Sequence, residues 1–356
     1  MWLCTLWEAT PALFLLADRN VPTKEEGAIS WLFAFSFYFC KKENKLMRKL
    51  RFAFSGIGAV GGYYGGLFAQ HHKETKDVFF IARGENLSKM REKGLCIRTH
   101  SGDQYVYPTL ATDDVNQIGG AVDYLFCCTK AYDLEDNLRQ LAPIINADTV
   151  IIPLLNGMDI TERIEALLPG QKVWKGCVYI GARLIAPGIV EKFSVKERLF
   201  FGNSETDDRT QQSQLLQWLQ EAGINAFNPD DIEVRIWKKF FMISTAAVVT
   251  SYLDLSIGET LEQHRDLFVT LSEELKQVAD AADIPLEEDV VERSIETQSM
   301  MPPGSITSMH ADFRKGKQTE LETLAGSVIR LAERKGVAVP TYQMMYDALK
   351  KRSANG

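Results

Sequence analysis

The chain has 356 residues, a length that favours two domains over one. Its apolar and charged content is that of a soluble globular protein and excludes a disordered or fibrous chain, and its net charge of −7 argues against a nucleic-acid partner, which needs a basic surface. The six cysteines show no CxxC spacing and the five histidines form no zinc-like cluster, so we expect reduced thiols in the cytoplasm and no metal.

Residues 1–46 are interpreted as an N-terminal extension that is not part of the working protein. The apolar stretch 27–40 is only 14 residues long, whereas a membrane-spanning helix needs roughly 20. The stretch also lacks the basic start and the cleavage site of a signal peptide. A membrane or partner anchor is the less favoured interpretation, and we expect the working protein to begin at Met47.

Residues 47–208 are expected to form a Rossmann-type α/β domain that binds a dinucleotide. Short apolar runs that favour strands lie at 51–55, 77–82, 123–128 and 149–154. Strands alternating with helices predict a mostly parallel sheet. Between residues 173 and 202 the pattern changes to strands joined by a Pro187-Gly188 turn, which predicts an antiparallel edge of the same sheet.

The turn after the first strand fits the GxGxxG pattern of dinucleotide-binding proteins. Its residues, all expected to bind the cofactor, are Gly56, Ile57, Gly58, Ala59, Val60 and Gly61. In such a turn the first glycine allows the tight bend, the second lets the pyrophosphate approach, and the third lets helix pack on strand. The helix that follows offers free N–H groups to the anion. A tight turn without a ligand is the alternative.

The second strand ends in Arg83, and this position predicts NADPH as the cofactor. An NAD-binding site usually carries Asp or Glu here to bind the ribose hydroxyls. A guanidinium can instead bind the 2′-phosphate of NADPH through two hydrogen bonds. The alternative is a solvated surface arginine.

Lys130 and Asn156 directly follow apolar strands, at the carboxyl ends where open α/β sheets bind ligands. Lys130 is predicted to lie near the ribose or the phosphates of the cofactor. The Asn156 amide, which can both donate and accept, could orient a nicotinamide or a neighbouring ammonium. The alternatives are a solvated strand end for Lys130 and a simple turn for Asn156.

Residues 209–356 are expected to form an all-α domain for substrate binding and dimerisation. Amphipathic segments lie at 211–222, 231–251, 261–281, 287–297 and 319–335, and a turn-forming loop, 301–305, separates two of them.

Lys238 and Lys239 are adjacent in an apolar helix, so at most one of them faces the interior. A partly buried lysine has a lowered pKa and can donate a proton near neutral pH; two solvated lysines are the alternative. Glu320 lies at a helix start, where a capping role is equally open.

Several motifs, in this order, resemble the ketopantoate reductase (2-dehydropantoate 2-reductase) family from about residue 50 to residue 350. They are GIGAVGG (56–62), IARG (81–84), CTKAYD (128–133), LLNGMD (154–159), IWKKF (236–240), TSMHADFRKGKQTELE (307–322) and GVAVPTYQMMYDALK (336–350).

The resemblance implies a role for each candidate residue. Lys239, rather than Lys238, would donate the proton, and Glu320 would hydrogen-bond the emerging hydroxyl and hold the lysine. Ser308 and Asn156 are assigned to the substrate, while Lys130, Asn156 and Glu320 are also assigned to the cofactor side. The family commonly forms homodimers, so a homodimer is expected.

One departure concerns the substrate. Where many family members have substrate-contacting asparagines four and eight residues after the catalytic lysine, this chain has Ile243 and Ala247. The leading hypothesis is NADPH-dependent reduction of 2-dehydropantoate to pantoate for pantothenate and coenzyme A synthesis. Ile243 and Ala247 keep open the reduction of another branched 2-keto acid. A nucleotide sensor without turnover is the least favoured hypothesis.

Overall fold

The computed structural model describes residues 48–203 and 208–354. The prediction for residues 1–46 therefore lies outside the described residues. The described residues from Leu50 onward belong to one compact unit, which contains every residue of the candidate site.

The first half of the described chain is built from strands and helices in alternation. In chain order the strands are β1 (Leu50–Ser55), β2 (Lys76–Ile81), β3 (Leu95–Thr99), β4 (Gly102–Val106), β5 (Leu110–Thr112), β6 (Tyr124–Cys127), β7 (Val150–Pro153), β8 (Lys175–Tyr179), β9 (Ala182–Ala186), β10 (Ile189–Lys192), β11 (Arg198–Gly202) and β12 (Ala226–Phe227). Five of them form one sheet in the order β5-β2-β1-β6-β7, and each neighbouring pair is parallel. The predicted parallel sheet is confirmed.

The central residues of these strands are mostly apolar, as expected where both faces of a sheet are covered. In β1, Phe52 and Phe54 pack into one core, while Ala53 packs into another core on the opposite face, as the two-residue period of a strand requires. In β6 the same alternation separates Phe126 from Cys127. Because the strands run parallel, the residues that follow β1, β2, β6 and β7 meet at one edge of the sheet.

The helices, in chain order, are α1 (Ala59–His72), α2 (Gly84–Lys93), α3 (Leu134–Leu141), α4 (Ile160–Leu167), α5 (Arg209–Glu221), α6 (Ile232–Leu253), α7 (Ile257–Gln263), α8 (Arg265–Ala281), α9 (Val290–Ser299), α10 (Ser308–Arg314), α11 (Ser327–Lys335) and α12 (Pro340–Ala354). A π-helical segment, Glu322–Gly326, leads into α11. From α6 onward the described chain is helical, which confirms the predicted order of an α/β part followed by an α part.

The predicted antiparallel edge of the main sheet is wrong. β9 and β10 do form an antiparallel hairpin around Pro187-Gly188, but they pair with β3 and β4 in a separate sheet. β8 and β11 pair antiparallel in a third sheet with β12. The connection to the main sheet is a parallel bridge between Ile151 and Val173. β10 pairs with β3 because Val190 of β10 and Leu95 of β3 are buried in the same core. These two residues are far apart in sequence, so no local pattern predicts their contact.

α5 packs with the first half of the chain, although the helical domain was expected to start at residue 209. Leu215 and Leu219 of this helix belong to the core that contains Phe52. Ala226, the first residue of the following strand β12, pairs with Leu199 of β11. The amphipathic pattern of α5 predicts a helix but does not say which core receives its apolar face. The change from one core to the other therefore falls after β12, within the first turns of α6.

α6 is the central helix of the second half and joins two cores. Its first residue, Ile232, packs with Cys177 and Phe200 of the third sheet, while residues from Trp237 onward form the core of the helical part. None of the helices in the described ranges has, by itself, the length and the apolarity to cross a membrane. Only α6 and α7 taken as a pair meet that test, and they are bent by 79° from each other.

Candidate active site

The turn between β1 and α1 carries the three motif glycines, and each has a different environment. Gly56 has a φ of +87°, and a Cβ on it would lie 2.6 Å from the backbone nitrogen of Thr129. A Cβ on Gly61 would lie 2.4 Å from the carbonyl oxygen of Gly56. A Cβ on Gly58 would meet no atom of the described chain within 4 Å. The fold requires Gly56 and Gly61, whereas the space in front of Gly58 is open to a ligand.

This open space fits the pyrophosphate of a dinucleotide. α1 begins at Ala59, so the N–H groups of its first turn, including that of Val60, have no helical acceptor and attract an anion. The Thr129 hydroxyl beside the turn is buried and has no hydrogen-bond partner among the described residues, which leaves a donor for a ligand. The side chain of Ile57 differs, because it is buried in the core and only its backbone lies in the turn.

Asn86 in α2 fixes the glycine turn, and the sequence analysis missed it. Its Nδ2 donates to the carbonyl oxygen of Ile57 at 2.6 Å, and its Oδ1 accepts from the backbone nitrogen of Gly188 at 2.7 Å. The amide thereby links the turn to the β9–β10 hairpin. Because these partners are 29 and 102 residues away, no local pattern marks Asn86.

Arg83 lies just after β2, at the carboxyl edge of the sheet. Its side chain is 83% exposed and contacts Oδ2 of Asp133 at 3.3 Å. An exposed ion pair of this kind contributes little stability, so the guanidinium can exchange it for a phosphate. The placement is compatible with the predicted contact to a 2′-phosphate.

Lys239 is buried where α6 passes the carboxyl edge of the sheet. The residue is 8% exposed, and its Nζ donates to Oδ1 of Asn156 at 2.7 Å. The same ammonium lies 6.0 Å from the ring centre of Tyr179 in β8. The adjacent Lys238 points elsewhere and forms an ion pair with the half-exposed Glu287. The structure thus separates the two lysines as the helical geometry requires, with Lys239 inside.

Burial lowers the pKa of the Lys239 ammonium, and nearby groups offset only part of this effect. The partners that oppose it are Cys177 and Glu320. Burial raises the pKa of the Cys177 thiol, so at neutral pH the thiol is uncharged and Glu320 is the partner that acts. A buried ammonium with a lowered pKa can release its proton to a developing alkoxide.

Glu320 is held in place by another lysine, Lys130. Its carboxylate is 3% exposed and accepts from Nζ of Lys130 at 3.0 Å, while Asp312 of α10 lies 3.4 Å from the same nitrogen. Burial by itself would lower the pKa of Lys130, but the two carboxylates outweigh it and the pKa is raised. The Glu320 side chain is thus engaged with Lys130, and its backbone carbonyl accepts from Leu324 in the first helical turn.

Ser308 begins α10 and is exposed. It lies one helical turn before Asp312, on the same helix face, and Asp312 contacts Lys130. Thr307 caps the helix by accepting from the backbone nitrogen of His310 at 3.2 Å. Asp312 lies in the motif at 307–322, but the sequence analysis assigned it no role. Its partner Lys130 is 182 residues away, so sequence spacing does not reveal the contact.

A cleft opens beside Lys239, and its walls are mostly apolar. It is lined by Asn156 and Lys239 together with Leu155, Gly157, Gly176, Cys177, Ile236, Phe240 and Ile243. Ile243 therefore faces the cleft, as its i+4 spacing from Lys239 suggests. Ala247 does not line the cleft and is buried in the helical core. Of the two departures noted in the sequence, only Ile243 bears on a ligand in this cleft.

Three side chains that could together bind a metal ion lie elsewhere in the described chain, although the sequence analysis predicted no metal site. His71, His72 and Glu221 have ligand atoms within 4.8 Å of one another. The fold brings Glu221 of α5 to the histidine pair, which sequence spacing does not show. His72 also contacts the carbonyl oxygen of Trp218 at 2.9 Å. The group is at the last turn of α1, at the opposite end from the glycine turn, and plays no part in the candidate active site.

Comparisons with known proteins cover both halves of the chain. The family model described as Ketopantoate reductase PanE/ApbA matches residues 52–206, and its C-terminal counterpart matches residues 231–353. The uncharacterized oxidoreductase YkpB of Bacillus subtilis is 29% identical over 313 residues, which are 86% of this chain and 99% of the relative.

Solved structures show the same architecture. The crystal structure of 2-dehydropantoate 2-reductase from Porphyromonas gingivalis W83 is 38% identical, with a TM-score of 0.75, over 85% of this chain and 99% of that one. The ternary structure of D-mandelate dehydrogenase with NADH and anilino(oxo)acetate has a TM-score of 0.77 at 23% identity, over 86% of this chain and 99% of that one. At that identity the likeness to D-mandelate dehydrogenase shows the fold alone.

Proposed function

Because the chain belongs to the ketopantoate reductase family of oxidoreductases, we propose that it catalyses the NADPH-dependent reduction of a branched 2-keto acid, with 2-dehydropantoate as the first candidate substrate. Its product would then be pantoate, which serves pantothenate and coenzyme A synthesis. The observation that carries the proposal is Lys239, a buried lysine with a lowered pKa that is hydrogen-bonded to Asn156 at the carboxyl edge of a dinucleotide-type sheet.

NADPH, when bound, supplies a hydride to the carbonyl carbon of the acid. Lys239 donates the proton from Nζ to the carbonyl oxygen, and its positive charge stabilises the alkoxide that develops there. Asn156 keeps the Lys239 amine oriented through its Oδ1. Glu320 accepts a hydrogen bond from the new hydroxyl and keeps the lysine protonated, while Lys130 holds Glu320 in place. Ser308 binds the substrate carboxylate from the first turn of α10.

Arg83 supports NADPH over NADH. It lies at the end of β2, where the ribose hydroxyls of a dinucleotide are usually bound, and its weak exposed pair with Asp133 costs little to exchange. The open space at Gly58 and the Thr129 hydroxyl, which has no hydrogen-bond partner among the described residues, support a dinucleotide in general.

A second candidate substrate is another branched 2-keto acid. It is favoured by Ile243, which places a hydrocarbon side chain in the cleft one turn beyond Lys239. The fold-level relative D-mandelate dehydrogenase, solved with anilino(oxo)acetate, is an example of this architecture paired with a different acid. Reduction of either acid uses the same residues in the same roles.

The test is to follow NADPH oxidation by the purified full chain with 2-dehydropantoate and with a panel of branched and aromatic 2-keto acids. Turnover of 2-dehydropantoate supports the first candidate, and turnover of another acid alone supports the second. If NADPH binds, as measured by calorimetry, but no acid is reduced, the enzyme proposal is wrong and a nucleotide sensor is favoured.

A homodimer and a cytoplasmic location remain predictions. The dimer is tested by light scattering of the full chain at micromolar concentration. Fractionation of the native cells with an antibody to the protein tests the location.

A further inference from the structure

Three potential metal ligands lie where the C-terminal ends of two helices come together. His71 and His72 are the last two residues of α1, and Glu221 is the last residue of α5. Their ligand atoms lie within 4.8 Å of one another. The carbonyl groups in the last turn of a helix carry a partial negative charge, so both helix ends favour a cation at this point. The side chains and the backbone therefore favour the same kind of ligand.

His72 is held in a fixed orientation by its surroundings. The residue is 3% exposed, and its Nε2 donates to the carbonyl oxygen of Trp218 at 2.9 Å. Because a carbonyl oxygen can only accept, the neutral ring carries its proton on Nε2 and its lone pair on Nδ1. A histidine that binds a metal usually donates its other ring N–H to such an oxygen. His72 can thus bind a metal through Nδ1 and keep its contact with Trp218.

His71 and Glu221 are exposed and can adjust to an ion that His72 binds. Ligand atoms around a tetrahedral zinc ion are about 3.4 Å apart, so the present spacing requires only rotation of these two side chains. Gln217 donates to Oε1 of Glu221 at 2.8 Å, which leaves Oε2 to bind an ion. Two nitrogens and one carboxylate oxygen can therefore converge on one point.

The charge of Lys76 acts against a cation at this point. Lys76 lies in β2 and is 7% exposed, and its Nζ lies 4.4 Å from the ring centre of Trp218. Burial and, to a lesser extent, the Lys76 charge lower the pKa of His72, which places that charge within electrostatic reach of the three ligands. The carboxylate of Glu221 and the two helix ends oppose it. Lys76 should therefore weaken metal binding without preventing it.

We propose that His71, His72 and Glu221 bind one Zn²⁺ ion, which links the end of α1 to the end of α5. Two imidazoles and a carboxylate are typical zinc ligands, and water would fill the fourth position. Ca²⁺ and Mg²⁺ prefer oxygen ligands and should not compete. The three residues lie at the opposite end of α1 from the glycine turn, so the inference does not depend on the proposed reductase activity.

The experiment titrates the purified full chain with Zn²⁺ by calorimetry after a chelator has removed bound metal. The wild type should bind one ion per chain at this site. His71→Ala and Glu221→Gln change exposed side chains, so both should fold, and each should weaken binding by at least about tenfold. The matched controls are His100→Ala and Glu92→Gln, which remove an exposed histidine and an exposed glutamate elsewhere and should bind as the wild type does.

Two further measurements locate the ion. Lys76→Met keeps the length of the side chain over Trp218 but removes its charge, so it should tighten Zn²⁺ binding severalfold. Saturating Zn²⁺ should raise the Tm of the wild type and raise that of Glu221→Gln much less, since an ion that binds only the folded state stabilises it.

Absence of Zn²⁺ binding to the folded wild type overturns the inference. Equal binding by the wild type, His71→Ala and Glu221→Gln would show an adventitious ion at other residues and also overturns it. Unchanged or weaker binding by folded Lys76→Met contradicts the location of the ion beside Glu221. The rate of NADPH oxidation enters none of these measurements, so failure of the proposed function would leave the result intact.

Discussion

Nζ of Lys239 and Oδ1 of Asn156 lie 2.7 Å apart, so one hydrogen bond joins the central helix to the loop that follows strand β7. Neither residue is close to the other in sequence, since 83 positions separate them. The contact fixes the amine of Lys239 at the edge of the sheet where a dinucleotide would present its nicotinamide. The predictions for Lys239 and Glu320 depend on this arrangement.

Lys239→Met should lower kcat by at least about 100-fold, because it keeps the length of the side chain but removes the proton donor. The matched control is Lys238→Met. Lys238 is the neighbouring residue on the same helix, and the substitution removes only its half-exposed ion pair with Glu287. Steady-state rates with NADPH and the best acid of the panel measure the effect. Equal losses in the two variants would contradict the assignment of Lys239.

The rate of reduction should fall as the pH rises through the pKa of Lys239. The protonated amine is the active form, so activity is at its plateau below that pKa and is lost above it. Because burial lowers this pKa, the fall should begin below the usual lysine value of 10.5. A pH profile of kcat/KM between neutral and alkaline pH measures it. A profile that stays flat to the usual lysine value would exclude Lys239 as the titrating group.

Glu320→Gln should move this alkaline fall to lower pH and reduce kcat. The Glu320 carboxylate raises the pKa of Lys239 against the effect of burial, so its removal leaves burial less opposed. Glu322→Gln serves as the control, since Glu322 lies two residues away and contacts Tyr346 and Arg330 rather than either site lysine. A purely structural role for Glu320 would lower the rate without displacing the pH profile.

Gly58→Ala should weaken NADPH binding by about tenfold or more while leaving a folded protein, because the new methyl group enters the space offered to the pyrophosphate. Gly56→Ala should instead lower the free energy of unfolding, because Gly56 has a positive φ and its backbone neighbour is 2.6 Å from the new atom. Calorimetric binding and thermal melts of both variants distinguish the two effects. A Gly58→Ala variant that binds NADPH normally would argue against a pyrophosphate at this turn.

Arg83→Ala should raise the KM for NADPH by roughly 10- to 100-fold and change the KM for NADH much less, since only NADPH carries the phosphate that the guanidinium would bind. Arg98→Ala is the control, because Arg98 is also an arginine paired with a carboxylate on the surface, that of Asp103. If wild type uses NADH and NADPH with equal efficiency, Arg83 has no role in choosing the cofactor.

The features predictable from sequence were those encoded over short distances. The glycine turn, the strands that precede Lys130 and Asn156, and the helix that carries Lys239 each have a local pattern. Contacts between distant residues had no such signal. Asn86 supports the glycine turn, and Asp312 supports Lys130, only because the fold brings separate elements together.

Sheet membership was the other feature that local sequence could not supply. The Pro187-Gly188 turn correctly predicted a hairpin, but its second strand, β10, pairs with β3, where Val190 packs in the same core as Leu95. The apolar face of α5 likewise identified a helix and left its core undetermined. In both cases the choice depends on which surfaces remain to be covered, and that is a property of the whole chain.

α6 has a consequence for folding. Its first turn packs against the third sheet, and its later turns form the helical core. Both halves of the protein therefore pack on this one helix, and unfolding of either half would destabilise it for the other. Unfolding should therefore be a single cooperative transition. Trp174 lies in the core of the α/β part and Trp237 in that of the helical part, so their fluorescence should change at the same denaturant concentration.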